Sequence, residues 1–222
     1  MLEVADGVYQ IPNSFVNLYL IVEADGLTLI DAGIAKSGPK LALEAIAKLG
    51  RKPKELRQIL FTHSDPDHTG GAAELKHISG SSLQASAHEA SMMAQGKPGR
   101  PPNNAFVKLM VGLMVPRIPA QTADVLLEDG QEIPVFGGLR VIDTPGHTPG
   151  HVSFYSSSHK ILFAGDSLRS EKDKLNFGTG PFTWNLETGI ESVRKLSKLE
   201  VDLVCCGHGS VVRGPGIVFP YI

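Results

Sequence analysis

The stretch Thr62-His63-Ser64-Asp65-Pro66-Asp67-His68-Thr69-Gly70-Gly71 puts two imidazoles and two carboxylates within six consecutive positions, His63 to His68. Groups crowded that closely repel or desolvate one another unless a cation sits among them. A metal site is the chemistry this spacing favours, and hydrolysis is its natural use. Three later places repeat the pattern. Asp143-Thr144-Pro145-Gly146-His147-Thr148-Pro149-Gly150-His151, Gly165-Asp166 and Gly207-His208-Gly209 each follow an apolar run, and each sets a His or Asp beside glycine. Glycine lets the backbone pass close to a crowded centre. Any one of these residues alone reads as a turn residue; four strand ends carrying the same chemistry read as one rim.

The elements that must position these groups are legible in outline. Short β-branched or aromatic runs at 8–11, 17–23 and 27–31 read as strands, with Asp25-Gly26 as a hairpin signal between the last two. Residues 37–49 have helical spacing, with Ser37 as the expected cap and Gly50 as the stop. A buried strand is expected at 59–61, a helix at 71–78 and an extended run at 83–86. Residues 96–104, Gly-Lys-Pro-Gly-Arg-Pro-Pro-Asn-Asn, break the composition and read as a loop. Strands resume at 125–127, 131–134, 139–143, 152–155 and 160–164. A helix at 186–199 and a last buried strand at 201–206 follow. Both halves run strands, then a helix, then a strand, which suits two packed sheets with helices outside.

With those pieces in order, the chain resembles the metallo-β-lactamase-fold hydrolases. Their pattern is H-x-H-x-D-H, then Gly-His, Gly-Asp and Gly-His, and here it runs from Leu29-Ile30-Asp31-Ala32-Gly33 to Gly207-His208-Gly209. The resemblance implies an α+β fold, a four-layer αβ/βα sandwich of two mixed sheets. It implies one domain over 1–222 with an insertion around 92–122, and two divalent ions on one edge. By position, His63, Asp65 and His147 would hold one ion, Asp67, His68 and His208 the other, and Asp166 would bridge them. A hydroxide between the ions would attack an ester, thioester, lactone or amide carbonyl, with Asp67 as the catalytic proton carrier.

Asp65 departs from the family, which usually has histidine there. Two divalent ions bring four positive charges, of which Asp65, Asp67 and Asp166 cancel three, so water should be acidified less. An oxygen donor also tilts selectivity from zinc toward manganese or iron. Carboxylate-rich versions of this site resemble the di-iron centres of flavodiiron proteins, which keeps a non-haem iron redox enzyme as the alternative. A glutathione thioesterase is disfavoured, because Gly165-Asp166 continues Ser167-Leu168-Arg169-Ser170 rather than the Gly-Cys-Gly-Arg of glyoxalase II.

The remaining features read plainly. Asp31 and His151 are expected behind the ligands rather than among them; His77, His88 and His159 read as surface histidines. Net charge is −2, which gives no footprint for nucleic acid, so the expected partner is a small-molecule substrate. Cys205 and Cys206, the two cysteines, are adjacent in an apolar run, the N-terminal residues carry acids where a signal peptide carries bases, and apolar runs fall short of a membrane span. A cytoplasmic protein is expected. The apolar segment 105–115 has three readings: a helix packed on the core, a wall beside the metal groove that meets the substrate, or a homodimer contact. Arg169, Lys172 and Lys174 read as solvated, or as a loop that could meet an anion.

Overall fold

The computed structural model describes residues 1–100, 119–177 and 182–221. The expected strands form, and they sort into two mixed sheets. The first has the order β1 (Leu2–Ala5), β2 (Val8–Asn13), β3 (Val16–Glu23), β4 (Gly26–Ile30), β5 (Leu56–Leu60), β6 (Ser82–Ser86), β7 (Val125–Leu127). Pairing is antiparallel through β4 and parallel from β4 to β7. The second sheet lines up β15 (Val212–Arg213), β14 (Leu203–Cys206), β11 (Ile161–Gly165), β10 (Val152–Ser156), β9 (Leu139–Asp143) and β8 (Glu132–Ile133), with only β11 and β14 parallel. A small hairpin, β12 (Arg169–Glu171) and β13 (Lys174–Asn176), stands apart.

Alternation along the strands produces three cores. Leu18, Leu20, Leu29, Ile59 and Phe61 face α1 (Ser37–Lys48) and α3 (Ala72–Ser79), which contribute Ala42, Ile46 and Leu75. Tyr19, Ile21, Ile30 and Leu60 meet Val141, Val152, Phe154, Phe163 and Cys205 between the sheets. Leu162, Ala164, Val204 and Cys206 face Val193 and Leu196 of α5 (Leu186–Leu196). The layers are helix, sheet, sheet, helix, which is the expected αβ/βα sandwich. Cys205 and Cys206 are free and fully buried on opposite faces of β14, as small core residues.

Several local expectations are corrected. Ser37 does not cap α1: Lys36 holds that position at φ 68°, and the Ser37 hydroxyl instead accepts from Asn13 Nδ2 at 2.9 Å. A tertiary partner outcompetes the local cap. The expected turn after β5 contains a short helix, α2 (Pro66–Thr69), started by Pro66 in the first turn. An unforeseen helix, α4 (Ala87–Ala94), is capped by Ser86, which accepts from the Glu89 N–H. Segment 105–115, with its three readings, lies outside the described residues. Among the described residues, no helix is long and apolar enough to cross a membrane.

Candidate metal centre

The strand ends converge because backbone hydrogen bonds lace their loops together. Val152 N donates to Thr62 O, Gly207 N to Gly165 O, and Asn17 N to Gly207 O, at 2.8–2.9 Å. Asn17 Nδ2 and Tyr19 Oη, from the first sheet, hold the Cys206 and Gly209 carbonyls of the second. The N-terminus of α5 fixes the His147 loop, with Trp184 N donating to His147 O and Asn185 N to Gly146 O. Gly207 must be glycine for closeness, since a Cβ there would fall on Asp166 Oδ1.

The predicted ligands gather in two sets. Ligand atoms of His63, His147 and Asp166 lie within 4.8 Å of one another, and so do those of Asp67, His68 and His208. Asp166 touches both. Its Oδ2 is 3.0 Å from His208 Nε2 and 3.4 Å from His147 Nε2, and its Oδ1 is 3.4 Å from His68 Nε2. Asp65 stands at the edge of the first set, with Oδ2 3.2 Å from His147 Nε2 and 3.7 Å from His63 Nε2.

The donors fit divalent ions. His63 Nε2, His68 Nε2, Asp65 Oδ1 and Asp166 Oδ1 are buried without a hydrogen-bond partner. Such orphans are costly unless something coordinates them. Their other ring nitrogens are spoken for. His68 Nδ1 meets Asp31 Oδ2 at 2.7 Å, and His63 Nδ1 meets the Thr62 hydroxyl, which itself donates to Asp31 Oδ2. His208 Nδ1 donates to Phe15 O. These contacts place a proton on Nδ1 and turn Nε2 toward the cluster. Asp31 therefore orients one imidazole of each set, from behind, as expected.

His151 is also behind the ligands. Its Nε2 accepts the Asp166 N–H at 2.9 Å, so its lone pair is taken. Burial and His147 push it down to about 3, and it stays neutral. His77, His88 and His159 lie on the surface, although His88 Nε2 reaches Gly99 O at 2.8 Å. Arg169, Lys172 and Lys174 are exposed on the β12–β13 hairpin, whose Ser170 N supports His208 O.

Charge is unevenly held. Burial opposes ionisation of Asp166, but His68, His147 and His208 hold it well below the usual carboxylate range. Asp65 is held low in the same way, by the His147 hydrogen bond, His63 and Arg100 acting against burial. Asp67 goes up, through burial and the Asp166 and Asp65 charges, against the pull of His68 and His208. Burial lowers His68, yet Asp31, Asp166 and Asp67 outweigh it and raise it to about 10.

Two residues were missed. Glu89 on α4 is fully buried. Its carboxylate accepts from Ser64 N and Oγ at 2.9 and 2.6 Å, from Thr148 Oγ1 at 2.6 Å and from Gly150 N at 3.1 Å. It ties the 62–68 loop to the 144–151 loop. The Ser86-x-x-Glu89 spacing, a helix-start signal, could have found its helix. Arg100 donates to Asp65 Oδ2 at 2.5 Å; nothing in the Gly/Pro-rich segment around it signals that contact.

Comparison with known proteins shows the family. A family model described as metallo-beta-lactamase superfamily matches residues 11–208. The probable metallo-hydrolase YflN of Bacillus subtilis is 31% identical, over 96% of this chain and 87% of its own length. A hydroxyacylglutathione hydrolase of Rhodopseudomonas palustris is 34% identical over 75% of this chain, which spans 54% of that relative. Among solved structures, a metallo-beta-lactamase from Cronobacter sakazakii superposes with TM-score 0.75 at 26% identity, covering 94% of this chain and 73% of that one.

Two outcomes follow. Glu89→Gln turns an amide N–H toward groups that all donate, so it should destabilise the fold by about 1–3 kcal/mol per orphaned donor; urea denaturation measures this, and unchanged stability would contradict the tie. In the metal-free protein His68 carries its proton up to pH about 10, and an ion at Nε2 must displace it. Metal affinity should therefore rise with pH from neutrality toward 10. Calorimetry in two buffers of different ionisation enthalpy should show at least about one proton released per protein; none released would contradict the assignment of His68.

Proposed function

This chain belongs to the metallo-β-lactamase superfamily, and from that premise we propose that it is a binuclear metallohydrolase acting on an ester, thioester or lactone carbonyl. The observation that carries the reading is the shared placement of Asp166 between the two histidine sets, together with the burial of His63 Nε2, His68 Nε2, Asp65 Oδ1 and Asp166 Oδ1 without a hydrogen-bond partner. His63, His147 and Asp166, with Asp65 at their edge, would hold one ion. Asp67, His68 and His208, with Asp166, would hold the other. Bound there, divalent ions supply an acidified water and polarise the substrate carbonyl oxygen.

The side chains divide the remaining work. Asp67 is partly exposed and raised in pKa, which suits a group that orients a nucleophile and carries a proton to the leaving group. Asp31 fixes two imidazoles in the ion-binding tautomer. Similarity to hydroxyacylglutathione hydrolases supports a thioester among the candidate carbonyls, while the Ser167-Leu168-Arg169-Ser170 continuation separates this chain from the glyoxalase II signature. The buried free thiols of Cys205 and Cys206 suit a reducing compartment such as the cytoplasm.

The test is turnover by the zinc-, manganese- or iron(II)-reconstituted protein on a panel of esters, thioesters, lactones, phosphodiesters and a β-lactam, with oxygen uptake followed in parallel. Hydrolysis of a carbonyl substrate without oxygen uptake is expected. Asp67→Asn should lower kcat by about 10²-fold or more, and Asp166→Ala should abolish turnover. Activity that survives Asp166→Ala would overturn the reading, and turnover that consumes oxygen would favour the iron redox alternative.

A further inference from the structure

Arg100 is a buried cation inside a centre built to bind cations. Its side chain is 8% exposed, and its Nη1 sits 2.5 Å from Asp65 Oδ2 and 3.1 Å from His147 Nε2. The position is held from several sides. His88 Nε2 donates to the carbonyl of Gly99, the preceding residue, at 2.8 Å. Gly99 packs so tightly on Glu89 and Thr148 that a Cβ would strike both. The guanidinium carbon lies 5.7 Å from the centroid of the Phe182 ring. Glu89, which binds both ligand loops, thus also seats the segment that presents Arg100.

We propose that Arg100 and Asp65 act as one electrically neutral unit that takes the place of the neutral histidine usual at position 65. Arg100 is a positioning residue: in the loaded centre its 3.1 Å contact with His147 Nε2 would give way to the ion, and it would hold Asp65 by one oxygen, Oδ2, while Oδ1 is buried with no partner. The pair also resets the charge count. Three carboxylates cancel three of the four charges of two divalent ions, and Arg100 returns one. The loaded centre then carries the same charge as one with an imidazole at position 65. The electrostatic reason for weak water acidification is removed, and only the oxygen donor's preference for harder metals remains. This inference rests on the metal-centre reading proposed above.

A double-mutant comparison tests it through metal affinity, without any substrate. Zinc dissociation constants are measured by chelator competition, with bound-metal stoichiometry and thermal melts, for wild type, D65H, D65H/R100M and R100K. D65H leaves the buried guanidinium unpaired beside the ions, so it should bind its weaker ion poorly. D65H/R100M restores a neutral arrangement and should bind that ion about tenfold more tightly than D65H. R100K, which keeps the charge, should stay within threefold of wild type. D65N with and without R100M gives the same comparison if the introduced imidazole prevents folding. A wild type that loads two ions, together with a D65H to D65H/R100M ratio within threefold of one, overturns the pairing alone. A wild type that binds no ion overturns the metal centre and the pairing together.

Discussion

Buried charge governs this architecture. Asp166, with a side chain 9% exposed, faces imidazoles of both ligand sets, and Asp65 and Asp67 add carboxylates alongside. Such a cluster cannot be stabilised by packing, and water is largely excluded from it. Only opposite charge offsets the desolvation. In the metal-free chain the compensation comes from protons on imidazoles and from Arg100; divalent ions would supply it more fully, and they would satisfy the orphaned Nε2 and Oδ atoms at the same time.

A second layer of buried carboxylates makes the cluster possible. Asp31, at φ 59° immediately after β4, accepts from Thr62 N and Oγ1 and meets His68 Nδ1. Glu89 does the equivalent work for the 62–68 and 144–151 loops. Neither acid belongs to either ligand set. Each converts loop geometry, which is otherwise soft, into fixed ligand directions, because every donor around it would be orphaned by a shift. The sandwich delivers strand ends to one edge, and these two residues turn the ends into a site.

The parts of this design that are local in sequence could be read from it. His63, Asp65, Asp67 and His68 declare themselves by crowding, and His147, Asp166 and His208 by their repeated placement after an apolar strand and beside glycine. The strands were legible because β-branched runs separated by turns have few other outcomes. What escaped depends on distance. Ser37 looks like a helix cap until Asn13, 24 residues away, takes its hydroxyl. Arg100 looks like one more residue of a Gly/Pro linker until the fold sets it against Asp65, 35 residues back. Glu89 is a mixed case: its helix begins with a recognisable Ser-x-x-Glu signal, but the groups its carboxylate binds, Ser64, Thr148 and Gly150, lie 25 to 61 residues away.

The central claim is that these side chains enclose a pair of cations. Anomalous diffraction at the zinc edge, from crystals grown with zinc, tests it most directly. The account predicts two peaks about 3.5–4 Å apart, one among His63, His147 and Asp166 and one among Asp67, His68 and His208, with Asp166 between. A single peak, or density lying away from these residues, would contradict it.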